Sequence, residues 1–202
     1  MTATLPPNVC QLHDETFTSL LDKLRNRALQ PFEVRALVHS LATKIGSHVN
    51  ATAPESETIA IVVVLRSGLA MFDGFMKNVP DETSTSVYHL GIFRDQASLQ
   101  PVEYYNKLPS KPLHIKQAYV LDPLIATGGT AGAVVSILKD WGIEKLTFLS
   151  ILSAPTGLAN AASVWPEGTE FIVGCIDSEV DGKGYIEPGV GDIGDRLFGT
   201  FA

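Results

Sequence analysis

Residues 118–141 read AYVLDPLIATGGTAGAVVSILKDW, and the reading of this stretch decides the fold. An apolar run from Ala118 to Leu121 stops at Asp122, and a small-residue turn, Ala126-Thr127-Gly128-Gly129-Thr130, follows. Ala131, Val134, Val135, Leu138 and Trp141 then recur at helical spacing. The pattern predicts a strand, a tight loop and the start of a helix. The first N–H groups of a helix have no internal partner, and glycines let an anion approach them closely, so the turn suits a phosphate. Thr127 and Thr130 add hydroxyl donors. No Lys-Ser or Lys-Thr pair follows the glycines, which excludes a Walker loop, and the GxGxxG dinucleotide spacing is absent. An acid closing the strand before such a loop suits a ribose 5-phosphate, the carboxylate taking ribose hydroxyls and the loop the phosphate. A helix N-cap without ligand is the alternative, and the spacing of Asp122 weighs against it. If the loop holds phosphate, Gly128→Val is expected to weaken binding and leave the fold intact.

Outward from this element the chain alternates strands and helices. Ile59 to Leu65 is apolar on both faces, as in a strand in the middle of a covered parallel sheet, and it ends at Arg66. An arginine there points into the crevice where open α/β sheets bind ligands, unless it caps the following helix, Ala70 to Lys77. Val87 to Phe93 is a second strand, ending at Arg94. After the polar stretch Asp95 to Pro101, Val102 to Leu108 can return antiparallel as a flexible flap or a plain surface hairpin. Tyr104 and Tyr105 read as packing residues. Leu146 to Leu152 and Phe171 to Ile176 are further strands, the latter the last parallel one, with a helix from Thr156 to Val164 between them. The sum is an α/β fold, a doubly wound, mostly parallel sheet flanked by helices.

Before this core, a Pro-containing arm leads to a helix capped by Asp14, with Phe17, Leu20, Leu21, Leu24 and Ala28 on one face. A second helix opens at Pro31 and carries Val34, Leu37, Val38, Leu41 and Ile45, with His39 and His48 as ordinary histidines. After the core, the glycine-rich tail from Gly182 to Gly199 lacks either periodicity and reads as a loop-built lid rather than a sheet element. The chain is read as one domain: arm and packing helices over 1–58, α/β core over 59–176, lid over 177–202. With 202 residues, 45% of them hydrophobic, it can bury a sizeable core. A net charge of -7 argues against a nucleic-acid surface and for a small ligand. No apolar run approaches the ~20 residues that span a bilayer, and the N-terminus lacks a signal-peptide pattern, which predicts a soluble, cytoplasmic protein. Cys10 and Cys175 do not suggest a disulfide framework.

Asp122-Pro123-Leu124-Ile125-Ala126-Thr127-Gly128-Gly129-Thr130 resembles the phosphoribosyl pyrophosphate loop of uracil phosphoribosyltransferases, in the variant with proline after the first acid. Leu65-Arg66-Ser67-Gly68-Leu69, Phe93-Arg94-Asp95 and the tail Gly184 to Thr200 match the same family in order, so that the resemblance spans roughly Ile59 to the C-terminus. It implies the type I phosphoribosyltransferase fold, with a β flap and a C-terminal base-binding lid, and transfer of phosphoribose from phosphoribosyl pyrophosphate to uracil. By resemblance, Arg66 and Arg94 take the pyrophosphate, Asp122 the ribose hydroxyls and the loop from Ala126 to Thr130 the 5-phosphate, while Pro123, Leu124, Ile125 and Asp192 also belong to the phosphoribosyl pyrophosphate site. Tyr185, Ile186, Gly191, Asp192 and Ile193 surround the uracil. Asp122, Arg66 and Asp192 would be the catalytic residues. Mg2+ would be held mostly by substrate oxygens and water, with Asp192 touching it through water and no side chain assured as a direct ligand.

The resemblance further implies a cis peptide at Leu65–Arg66 and a homodimer. The β arm that often holds subunits together is missing, because Asn50 to Thr58 is too short for a hairpin. Glu187 stands where relatives usually carry an apolar residue, and Ile193 where alanine or an aromatic is common. Two alternatives stay open. One is a regulator without turnover, which Arg66, Arg94 and Asp192 argue against; the other is a transferase for a different base, which only the tail could decide.

Overall fold

The computed structural model describes residues 5–95 and 100–200. The chain folds as β1 (Val9–Gln11), α1 (Glu15–Leu24), α2 (Pro31–Gly46), β2 (Thr58–Leu65), α3 (Leu69–Met76), β3 (Thr85–Arg94), β4 (Pro101–Asn106) and β5 (Ile115–Leu121). It continues as β6 (Leu124–Ile125), α4 (Gly129–Trp141), β7 (Lys145–Ser153), α5 (Pro155–Ala162), β8 (Thr169–Ile176), β9 (Glu179–Val180), β10 (Ile186–Glu187) and α6 (Ile193–Phe198). The main sheet has the order β1-β8-β7-β5-β2-β3-β4, with β6 beside β7. All its pairings are parallel except β3 with β4.

Successive strands β2 and β3 lie side by side, and the chain then returns to place β5 on the other side of β2. The strand order therefore reverses at β2, and the carboxyl ends of β2 and β5 open a crevice of the kind in which such sheets hold ligands. Val63 sits opposite Leu121 in the register, so that Arg66 and Asp122 leave the sheet at the same edge. On one face α1, α2 and α3 bury Phe17, Leu21, Val38, Leu41, Met71 and Phe75 against Ile59, Ile61 and Val63. On the other, α4 and α5 bury Val134, Val135, Leu138 and Leu158 against Val62, Val120 and Phe148. That two-sided cover is why these strands are apolar throughout rather than alternating.

The structure departs from the sequence reading in several places. The N-terminal arm carries a strand, β1, so β8 is not the edge of the sheet. Val9 lies opposite Phe171, and Asn8 fixes the start of the strand with Nδ2 donating to the carbonyls of Ala162 (3.1 Å) and Thr169 (3.0 Å). A three-residue strand has no period to read. Helix α1 does start on Asp14, whose carboxylate accepts from the Phe17 N–H at 2.9 Å. It ends at Leu24, before Ala28, because the Asn26 side chain accepts from the Ala28 N–H at 3.0 Å and turns the chain. His48 lies beyond the end of α2, its Nε2 3.9 Å from Asp14. The tail is not loop alone, since β9 and β10 form a separate antiparallel ribbon and α6 closes the chain. Cys10 is exposed, Cys175 half-buried, and neither is in a disulfide. Among the described residues, no helix is long and apolar enough to cross a membrane.

Candidate active site

Asp122 follows the last residue of β5 and is buried, 6% exposed. Burial pushes its carboxyl up to about 7, and the Leu124 N–H, donating to it, pulls the other way. Pro123 is buried and turned into the sheet. Its carbonyl accepts from the N–H groups of Ile151 and Leu152 at 3.0 and 3.1 Å, and the chain then pairs with β7 as β6 before turning into the loop. The loop delivers α4 from Gly128, whose φ of 84° lies in the left-handed region that glycine tolerates best. It also packs backbone to backbone against α5. A Cβ on Gly128 would overlap the Gly157 carbonyl, and one on Gly157 would overlap the Ala126 carbonyl. Asn160 donates from Nδ2 to the Thr127 carbonyl at 3.3 Å. The expectation that Gly128→Val would leave the fold intact is therefore corrected, because a valine there has neither the backbone conformation nor the room. Gly129 is different, since a Cβ there would meet only Pro101 at 3.6 Å and the Thr127 hydroxyl at 3.9 Å.

Arg66 follows β2 across a cis peptide bond, the one the resemblance implied. Its guanidinium is half-exposed and rests on the tail, with Nη2 3.4 Å from Asp195 Oδ1, Nη1 3.4 Å from the Thr200 hydroxyl and Cζ 5.6 Å from the centre of the Phe198 ring.

The tail is clamped to the body. Arg25, at the end of α1, makes a two-pronged ion pair with Asp177, Nη1 to Oδ2 at 2.7 Å and Nη2 to Oδ1 at 2.8 Å. Asp177 also accepts from the Gly189 N–H at 2.8 Å, and Arg25 donates to the Gly189 carbonyl at 3.1 Å. The hydrogen-bonded carboxylate favours the charged guanidinium and raises its pKa. Arg35 of α2 donates to the Leu197 carbonyl at 2.7 Å. Asp192 caps α6 by accepting from the Asp195 N–H at 3.0 Å through Oδ1, and the Tyr185 hydroxyl lies 3.4 Å from its Oδ2.

These parts meet in one cleft of about 350 Å³. Arg66 and Ser67 line it from β2, Asp122, Leu124, Ile125, Ala126, Thr127, Gly128 and Thr130 from the central element, and Tyr185, Gly191, Asp192 and Ile193 from the tail. Pro123 and Gly129 are not in its wall. Ile186 faces instead a neighbouring hollow shared with Arg27, Tyr185, Gly191 and Asp192. The backbone of Arg94 closes β3 opposite Pro101, and its side chain lies outside the described residues, as do positions 96–99 of the expected flap. The Ile193 side chain is 5% exposed and packed into the core, so what it offers the cleft is mainly backbone. Glu187 is exposed.

Sequence reasoning missed Ser67, Phe93, Tyr104 and Gly184 as parts of the wall. Tyr104 does pack, its ring 6.0 Å from that of Phe93, but it is 53% exposed on the edge strand β4 and lines the cleft as well. Among the described residues, no group of three metal-ligating side chains stands together. Two carboxylates, Asp122 and Asp192, do line the same cleft, which fits a hydrated divalent ion shared with the oxygens of a substrate.

Comparison with known proteins gives a consistent result. The family described as uracil phosphoribosyltransferase matches residues 4–200. Over 179 residues the chain is 44% identical to urg2 of Schizosaccharomyces pombe, covering 89% of this chain and 84% of that one. It is 36% identical over 198 residues to the uracil phosphoribosyltransferase of Dictyoglomus turgidum, covering 89% and 93%. Among solved structures, the AQ2163 protein of Aquifex aeolicus superimposes with a TM-score of 0.85 at 27% identity, over 95% of this chain and 98% of that chain.

Proposed function

The chain belongs to the uracil phosphoribosyltransferase family, and from that premise we propose that the cleft between Asp122, Arg66 and the clamped tail is where phosphoribose passes from phosphoribosyl pyrophosphate to uracil. The enzyme is a pentosyltransferase, and its products are uridine monophosphate and pyrophosphate, a reaction of pyrimidine salvage. The observation that carries the assignment of the site is the meeting, at the topological switch point, of a phosphate-binding helix start, a buried carboxylate, an arginine and a glycine-fixed segment in one wall.

In this reading the loop from Ala126 to Thr130 receives the 5-phosphate on its N–H groups and threonine hydroxyls. Asp122 accepts from the ribose hydroxyls. As the bond between ribose C1 and pyrophosphate breaks, positive charge grows on the sugar and negative charge on the leaving group. The Asp122 carboxylate faces the first, and Arg66 with Arg94 the second. Uracil forms the new bond to C1 through its ring nitrogen and gives up the proton that nitrogen carried. The backbone of Gly191 to Ile193, which lines the cleft, distinguishes the carbonyl edge of uracil from the amino edge of cytosine, since a mismatched buried polar group costs about 1–3 kcal/mol. The family uses a divalent metal, for which we propose Mg2+; Asp122 and Asp192 would hold it through water, and it would offset negative charge on the pyrophosphate. A homodimer, if it forms, uses surfaces other than a β arm.

The test is turnover by the purified protein with Mg2+ and phosphoribosyl pyrophosphate, offered uracil, cytosine, hypoxanthine and adenine separately. Uracil alone should be consumed, one pyrophosphate released for each uridine monophosphate. Turnover of a purine, or binding of phosphoribosyl pyrophosphate without turnover of any base, would overturn the reading.

A further inference from the structure

Arg196, on α6, is the only lysine or arginine buried among the described residues, at 5% exposure. Its hydrogen bonds go to backbone carbonyls. Nη1 donates to Leu24 at 2.8 Å and to Val190 at 2.6 Å, and Nη2 donates to Asn26 at 2.7 Å, while Nε has no partner. The Leu24 carbonyl ends α1, where the helix dipole favours a cation. The Val190 carbonyl immediately precedes Gly191, whose φ of 75° turns the chain toward Asp192 and Ile193. One guanidinium thus joins the end of α1 and the link after it to the segment that meets the base.

Other side chains also dock the tail. The Arg25–Asp177 clamp holds its start, and Arg35 holds the end of α6 through the Leu197 carbonyl. Among the described residues, Arg196 is the side chain that donates to the Val190 carbonyl, the last one before Gly191; Arg25 and Arg27 hold the Gly189 and Pro188 carbonyls before it. We propose that Arg196 is a positioning residue for the base, setting the backbone of Gly191 to Ile193 against the edge of uracil. This rests on the reading that the segment receives the base.

Arg196→Lys keeps the charge and loses the planar fork that reaches carbonyls on both sides. At saturating phosphoribosyl pyrophosphate it should raise the KM for uracil by roughly 10-fold, the scale of one lost hydrogen bond to a charged group. The KM for phosphoribosyl pyrophosphate should stay within about twofold. Arg35→Lys, which loosens the same tail away from the base, should lower the melting temperature without that split. Equal behaviour of the two variants, or a parallel rise in both KM values for Arg196→Lys, would reduce Arg196 to a staple and overturn the proposal. Gly191→Ala disturbs the segment directly, because its φ of 75° is strained for a side chain and a Cβ would overlap the Arg27 guanidinium beside it. If it raises the KM for uracil and Arg196→Lys does not, the positioning role alone is wrong; if neither moves it, the assignment of the base to this segment fails as well. Should Arg196→Lys not fold, Arg196→Gln, whose amide can still donate to the Val190 carbonyl, is read in the same way.

Discussion

The loop proposed for the phosphate and the segment proposed for the base line the same cleft, and they are held in place by different means. The loop is fixed within a short span of chain. Pro123 and β6 pair with β7, and Gly128 lies against Gly157 with no side chain between them. The base segment is fixed from far away, by Arg25 on Asp177 and Gly189, and by Arg196 on the carbonyls around α1. A local scaffold built from glycine backbones leaves little to adjust. A segment held by long side chains can be retuned by one substitution without disturbing the sheet. In the proposed reading, the end for the part common to all phosphoribosyl substrates is thus built rigidly, and the end for the base is built adjustably.

The strongest way to break this contrast is Gly128→Val. The new side chain combines a left-handed backbone with overlap on Gly157, and should cost roughly 2–5 kcal/mol of stability and abolish turnover. Thermal unfolding with calorimetry of phosphoribosyl pyrophosphate binding decides it, and a variant that melts and binds like the wild type would show that the loop is not locally fixed.

Asp192→Asn comes next. Asparagine caps a helix about as well as aspartate, so melting should be nearly unchanged, while loss of the charge beside the substrate lowers kcat/KM by at least ~100-fold, about 2.7 kcal/mol. Normal turnover at limiting magnesium would leave Asp192 a cap and nothing more.

The third prediction concerns pH. Burial raises the Asp122 carboxyl to about 7, and the anion is the form proposed to accept from ribose hydroxyls. Below about pH 7, kcat/KM for phosphoribosyl pyrophosphate should fall by about tenfold per unit. Stability should run the other way. Between the ordinary value of 3.8 and about 7 the folded state holds a proton that the unfolded state has released, so stability falls as pH rises through that window. Asp122→Asn should remove this decline. Denaturant melts of both proteins at a series of pH values check the sign, and a decline retained in the variant would assign it to another group.

The smallest effect is expected at Gly129. Gly129→Ala has room for its Cβ and lies at the start of α4, so stability should change by no more than about 1 kcal/mol and activity should persist. Paired with Gly128→Val, it tests whether close packing on Gly157, rather than glycine content, makes the loop what it is.

Residues in the central element announced themselves because their physics is local. The apolar run that ends at Asp122, the glycines and the 3.6-residue recurrence of Ala131, Val134, Val135 and Leu138 are all visible within one stretch. The same holds for β2 and for the cap of α1 at Asp14. β1 was not legible, since Val9–Gln11 is strand only because β8 presents an edge to it. Tyr104 could not be assigned to the cleft, because whether an edge-strand side chain faces ligand or solvent depends on what stands opposite. Arg196 left a faint signal. It falls three residues after Ile193 and next to Leu197, on the buried side of α6, where a cation needs a reason.

The sequence by itself determined the alternation of strands and helices in the core, the glycine turn before α4 and the positions of Arg66 and Asp122 at strand ends, because hydrophobic period, proline and glycine act over a few residues. Only the tertiary structure decided that Asp122 is buried enough to titrate near neutrality, that Gly128 has no room for a side chain, and that Arg25 and Arg196 hold the tail. Desolvation, close contact and hydrogen bonding between distant segments depend on what the folded chain brings near, and no local pattern in the sequence records that.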